Sequence, residues 1–309
     1  MCIRDSYGLL HDINLCHGVS YLWRTDCHMA GNKRCYFCGR LRLGSGVREP
    51  AHVWAELRQA RDTWGIRQFY NVADSVAVNE PDFRAFVEAQ PEDFGTEIHR
   101  CFINSHQVNT DTIPLLTRLN AIVSMGIESY ALFDKVGKRL ATTRTNEDAV
   151  RELDKADIPM VLSFVFGLPG EDAAKISRTG RYIQHLVDRH SNVVSIEMSP
   201  LTVTSGSRAY EDLMEMEAEH FAKRIPPYDV VELSERYFES FCRISRGQVI
   251  QVIADLAGRI VTARPNVFVD VKGLSLDEKQ RLFGSRLLQQ HPYRGNFTPT
   301  ERFGRRREC

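Results

Sequence analysis

Along most of the chain, short apolar runs of strand length alternate with segments whose apolar residues recur every three or four positions. Strands are predicted at 19–23, 66–72, 98–103, 121–127, 158–166 and 193–198. Helices are predicted between them at 50–63, 81–89, 112–119 and 173–187. One more is opened by Thr145, with Asp148 at capping-box spacing. Val53, Trp54 and Leu57 share one face of the first helix, as Phe83, Phe86 and Val87 do in the second. The run 158–166 is almost wholly apolar, as a central parallel strand buried on both faces should be. Alternation of this kind builds a parallel sheet, here an α/β fold of about six units, a partial (β/α)6 TIM-like barrel. Beyond Tyr210 the chain becomes helical and more polar, with helices predicted at 211–219, 230–242 and 248–256 and a break at Pro226-Pro227.

Composition adds bounds rather than identity. A chain of 309 residues, 43% hydrophobic and 26% charged, buries a sizeable core without needing disulfides. Forty basic residues balance forty acidic ones, so no global field draws the protein onto nucleic acid or an anionic membrane. The run Arg305-Arg306-Arg307 reads as a solvated tail. The longest apolar stretch, 158–168, is far short of a membrane span. No signal segment precedes Cys27, and a cytoplasmic protein is expected. Eight cysteines in such a chain point to reduced thiols or metal ligation.

The strongest chemical signal lies between Cys27 and Cys38, just after the first predicted strand. Cys27, Cys35 and Cys38 are three soft sulfur ligands close in sequence, suited to one face of an iron–sulfur cluster. Three thiolates leave a fourth iron open to bind a substrate or cofactor. Gly31 and Asn32 suit a turn, and Lys33 and Arg34 offset the negative charge of such a cluster. The loop leaves the carboxyl end of a strand, where α/β barrels place their chemistry. Two plainer readings stay open: a zinc site that adds His28, and three structural thiols. Cys101, in an apolar strand, reads as core, and Cys242 reads as core rather than as a hydrogen-atom donor.

Three elements in order resemble the radical S-adenosylmethionine superfamily, over roughly residues 19–210. They are the cluster loop ending Cys35-Tyr36-Phe37-Cys38, the fourth-strand Met125-Gly126-Ile127-Glu128-Ser129, and Ser163-Phe164-Val165-Phe166-Gly167-Leu168-Pro169-Gly170-Glu171. The resemblance is to the core shared by the Elongator catalytic subunit, the tRNA methylthiotransferases and radical enzymes with a cobalamin-binding domain. It implies that Cys27, Cys35 and Cys38 hold a [4Fe–4S] cluster whose open iron chelates S-adenosylmethionine. Reduction then cleaves a carbon–sulfur bond to give a 5′-deoxyadenosyl radical. Glu128 falls where an acidic residue meets the ribose hydroxyls, and Phe37 where a ring packs near the adenine. Asp74 stands where an acidic element touches the methionine amino group, and Ser163 and Gly167 where the fifth strand approaches the cofactor. A buried ion pair for Glu128, a core ring for Phe37 and turn positions for Asp74 and Gly167 are the plainer alternatives.

The sequence departs from that pattern in places. Seven residues separate Cys27 from Cys35, where three are common, and Tyr130 and Ala131 follow Ser129 where small residues are usual. Residues 1–18 are expected to be a short leader, the remnant of a truncated N-terminal domain, before a radical core at 19–212 and a mainly helical extension at 213–309. The expected function is a radical enzyme acting on a small molecule, lipid or peptide, with an electron donor such as flavodoxin or ferredoxin. If a domain is missing, cobalamin-dependent methyl transfer is the expected subclass. A tRNA-modifying enzyme and a catalytically silent iron–sulfur or zinc protein are the alternatives, the balanced charge weighing against the former.

Overall fold

Among the described residues, seven parallel strands pair in strict sequence order into one curled, open half-barrel: β1 (Gly18–Tyr21), β2 (Gln68–Asn71), β3 (Ile98–Phe102), β4 (Ala121–Glu128), β5 (Met160–Phe166), β6 (Val193–Pro200) and β7 (Phe268–Val271). This computed structural model describes residues 18–27, 34–39, 46–138, 140–222 and 229–273. The leader 1–17, His28, Gly31, Asn32, Lys33 and the Arg305–Arg307 tail lie outside the described residues. Among the described residues, no helix is long and apolar enough to cross a membrane.

The helices are α1 (Pro50–Trp64), α2 (Glu80–Glu88), α3 (Thr112–Arg118), α4 (Phe133–Val136), α5 (Thr143–Lys155), α6 (Ala173–Arg189), α7 (Arg208–Met216), α8 (Ala218–Phe221), α9 (Val230–Phe241) and α10 (Arg246–Ala263). Local chemistry sets most of their ends. Pro50 opens α1, where its missing N–H costs nothing, and left-handed Gly65 closes it. Asn79, Asp172, Ser207, Asp229 and Ser245 each accept a backbone N–H at the start of a helix. α5 starts earlier than the sequence pattern predicts. Thr142 is its cap, accepting from the Thr145 N–H at 3.1 Å, and Thr145 reaches back to the Thr142 N–H at 2.6 Å.

Val53, Trp54 and Leu57 of α1 and Phe83, Phe86 and Val87 of α2 are buried as expected. Trp54 donates its indole N–H to the Phe86 carbonyl at 2.8 Å and stacks on the Phe86 ring. β5 is buried along its whole length except at Ser163. In the C-terminal part α10 packs on β7, a strand that the sequence pattern does not predict and that extends the sheet beyond β6. Four residues of alternating character are too short a signal to separate from loop.

Candidate active site

The loop after β1 is pinned at its base and at its tip. Arg24 bridges antiparallel to Val47, with Thr25 N–H donating to the Gly46 carbonyl at 3.0 Å and Arg48 N–H to the Trp23 carbonyl at 2.8 Å. Trp23 is fully buried against Phe86, and the buried Arg24 guanidinium donates to both Asp26 oxygens at 2.5 and 2.6 Å. Further along, the Tyr36 N–H donates to the Val136 carbonyl at 2.9 Å, and the Tyr36 carbonyl accepts from Ala209 at 3.0 Å. Its hydroxyl donates to Asp212 at 2.9 Å. Cys35–Cys38 is thereby held between the exit of β4 and the segment after β6.

Among the described residues, none of Cys27, Cys35 and Cys38 is in a disulfide. Burial pushes the Cys35 thiol up to about 12, Lys138 pulls against that shift, and Glu128, Cys38 and Cys27 add to it. Cys35 therefore lies within electrostatic reach of Cys27, Cys38 and Lys138. Among the described residues, no group of three or more His, Cys, Asp or Glu side chains converges on a point that suits a single metal ion. A four-iron cluster places its thiolates on separate irons, so its ligands need not converge that way. The buried Cys35, the two half-buried thiols and the cation beside them fit that group.

A cavity of about 390 Å³ opens at the carboxyl ends of the central strands. Phe37, Asp74, Glu128 and Ser163 all line it, so the fold gathers these sequence-chosen positions around one space. Asp74 is carried on a braced turn: Asn71 accepts from the Ala73 N–H at 3.0 Å, Ser75 donates to Gln107 at 2.5 Å, and Val76 N–H donates to the Phe102 carbonyl at 2.9 Å. Glu128 is held at φ 67°, at a bulge where β4 shifts register against β5. Non-glycine residues in that region concentrate at functional sites.

Lys138, which pattern reading passed over, also lines the cavity. Its ammonium donates to Glu128 at 2.5 Å and to the Gly126 carbonyl at 2.7 Å. Burial alone would lower the lysine; Glu128 and then Cys35 outweigh it and hold Lys138 above the usual lysine value. A side chain at Gly126 would intrude on both Glu128 and Lys138, so the glycine makes room for the pair. The available sequence signal is the turn of α4 ending in left-handed Gly137, which sends Lys138 back across the strand end. Tyr130, a departure from the family pattern, stacks on Tyr182 of α6 at 4.5 Å.

Gly167 is not part of the cavity lining; it packs under Phe238 of α9 with φ 102°. The loop after β5 is a clamp for the C-terminal part. Glu171, fully buried, accepts from the Gly167 and Leu168 N–H groups, while Gly170 N–H donates to the Phe241 carbonyl at 2.7 Å. Burial raises the Glu171 carboxyl to about 7 against those hydrogen bonds. Cys242 lies on the same clamp, its thiol 3.4 Å from the Gly167 carbonyl, and Cys101 is buried in the core.

No family model matches the sequence, and no curated protein matches it. Solved structures do match the fold. TsrM from Kitasatospora setae, a radical S-adenosylmethionine methyltransferase solved with cobalamin and a [4Fe–4S] cluster, superimposes with a TM-score of 0.59 at 15% identity over 88% of this chain. SuiB from Streptococcus suis bound to S-adenosylmethionine gives 0.54 at 13% identity over 88% of this chain. This chain spans 57% of the TsrM chain and 55% of the SuiB chain. A spore photoproduct lyase mutant with bound AdoMet and dinucleoside spore photoproduct gives 0.51 at 11% identity, over 83% of this chain and 76% of the lyase. In fold, this chain is similar to these three solved radical S-adenosylmethionine proteins.

Proposed function

We propose that this chain is a radical S-adenosylmethionine enzyme whose Cys27, Cys35 and Cys38 hold a [4Fe–4S] cluster. One observation carries the reading. Lys138 sits at once on Glu128, in the cavity wall, and within electrostatic reach of Cys35 and Cys27, coupling the cysteine loop to the cavity. When bound and reduced, the cluster supplies the electron that cleaves the sulfonium carbon–sulfur bond of S-adenosylmethionine. The residues do the rest. Lys138 offsets the negative charge of three thiolates, Glu128 accepts ribose hydroxyls, and Phe37 offers a ring face to the adenine. Asp74 takes the methionine ammonium, Ser163 offers a hydroxyl from the floor, and Gly167 lets the C-terminal part close behind β5.

TsrM binds cobalamin, which supports cobalamin-dependent methyl transfer as the subclass carried forward. SuiB binds a precursor peptide, SuiA, which keeps peptides among the substrate classes. The electron donor we assign is a small redox protein such as flavodoxin or ferredoxin.

Anaerobic reconstitution followed by dithionite reduction tests the whole reading. S-adenosylmethionine should be converted slowly to 5′-deoxyadenosine even without substrate, and a Cys38→Ala protein should make none. A preparation that retains iron and sulfide, binds S-adenosylmethionine and yields no 5′-deoxyadenosine would move the catalytically silent cluster protein ahead.

A further inference from the structure

The two faces of the sheet differ in chemistry. In adjacent strands, Leu162 is level with Ile196 and Ile196 with Val269, and all three are buried. One residue further along each strand, Gly126 is level with Ser163, Ser163 with Glu197, and Glu197 with Asp270. A closed α/β barrel fills its interior with bulky apolar side chains. This half-barrel instead carries small and charged ones.

Arg100 of β3 reaches across the row. It donates to Ser124 at 2.8 Å and to Glu197 at 2.7 Å, with its guanidinium 5.1 Å over the Tyr70 ring. Glu197 accepts from Ser163 at 3.2 Å, and Lys272, just past β7, pairs with Asp270. The Arg100 and Glu197 side chains keep 25% and 24% of their surface open, so the pair is not sealed in a core. A purely structural ion pair here gains little, because apolar packing of similar volume is often as stable or more so.

We propose that this concave face is the substrate floor, and that Arg100, Glu197, Asp270 and Lys272 recognise a zwitterion carrying a carboxylate and an ammonium group, as in a free amino acid or a short peptide. The inference rests on the proposed function and narrows its substrate class. Ser163 supplies the link, since it lines the cavity and also donates to Glu197. A zwitterion on the floor therefore faces S-adenosylmethionine in the cavity above. The guanidinium fork suits a carboxylate and the two acids an ammonium. A lipid tail placed there would take two ion pairs out of water and offer neither of them a polar contact.

The test uses the reconstituted enzyme with S-adenosylmethionine. Equilibrium dialysis is run against the twenty common L-amino acids, a dipeptide and tripeptide set, and N-acetyl amide analogues lacking both charges. At least one zwitterion should be retained and its blocked analogue should not. Arg100→Gln and Glu197→Gln should each weaken retention about ten- to a hundredfold, the effect of losing one charge-assisted hydrogen bond. Lys272→Ala, at an exposed position, serves if either variant fails to fold. Retention of free amino acids identifies them as the source, and retention of peptides alone identifies a peptide terminus. Binding of S-adenosylmethionine with no zwitterion retained, or equal retention by the variants and by blocked analogues, overturns the inference alone. Failure of the wild type to bind S-adenosylmethionine overturns the proposed function and this inference with it.

Discussion

Phe238 closes over Gly167 so tightly that no side chain fits between them, and the glycine holds a φ of 102° that L-residues rarely adopt. The contact joins the exit of β5 to α9, so the C-terminal part packs directly on the strand that forms the cavity floor. Gly167→Ala should destabilise the protein by about 2–4 kcal/mol, from a strained φ and overpacking together. Pairing it with Phe238→Leu should recover the packing share and leave the backbone share. Urea unfolding of the two variants separates the contributions, and an unchanged midpoint for Gly167→Ala would show that the loop yields.

Glu171 beside that contact makes stability depend on pH in a defined direction. Its carboxyl is raised by burial from 4.5 to about 7, so the folded state binds the proton more tightly than the unfolded state does. That contribution is fully present below pH 4.5 and is lost as pH rises through about 7. It amounts to about 3 kcal/mol at most. Glu171→Gln keeps an acceptor for the Gly167 and Leu168 N–H groups and should flatten the slope between those limits. A slope that survives the substitution would assign the titration to another group.

The Lys138–Glu128 pair is buried on both sides, so removing one partner strands the other. Lys138→Met should cost about 3–5 kcal/mol in urea unfolding of the cluster-free protein. Adding Glu128→Gln should return part of it, because the two residues act as one unit. Additive losses in that double-mutant cycle would show that the residues do not couple.

Glu128 is also expected to meet the cofactor. Glu128→Gln should weaken S-adenosylmethionine binding about ten- to a hundredfold, by calorimetry on protein with an intact cluster. Unchanged affinity would place Glu128 outside the site.

Iron content reads the cysteine loop directly. Anaerobically reconstituted protein should hold about four irons per chain and absorb broadly near roughly 400 nm, as thiolate-ligated clusters do. Cys27→Ala, Cys35→Ala and Cys38→Ala should each lose the iron, whereas Cys101→Ala, deep in the core, should keep it. Stoichiometric zinc with no iron uptake would favour the zinc alternative.

Local chemistry alone determined much of this protein. Six strands, most of the helices and the parallel order follow from apolar periodicity, because that is a relation between residues two to four apart. The resemblance to the radical S-adenosylmethionine family, rather than local chemistry, picked out Phe37, Asp74, Glu128 and Ser163, which the fold brings to one cavity. Only the tertiary structure decided the rest. Lys138 reaches Glu128 through a left-handed turn at Gly137, and Arg100 meets Glu197 across two intervening strands. β7 is recognisable as a strand only because β6 has an edge to pair with, and Gly167 turns to Phe238 rather than to the cavity. Each of these depends on register and on the curl of the sheet. Those are set by the packing of distant segments, and a four-residue window carries no trace of them.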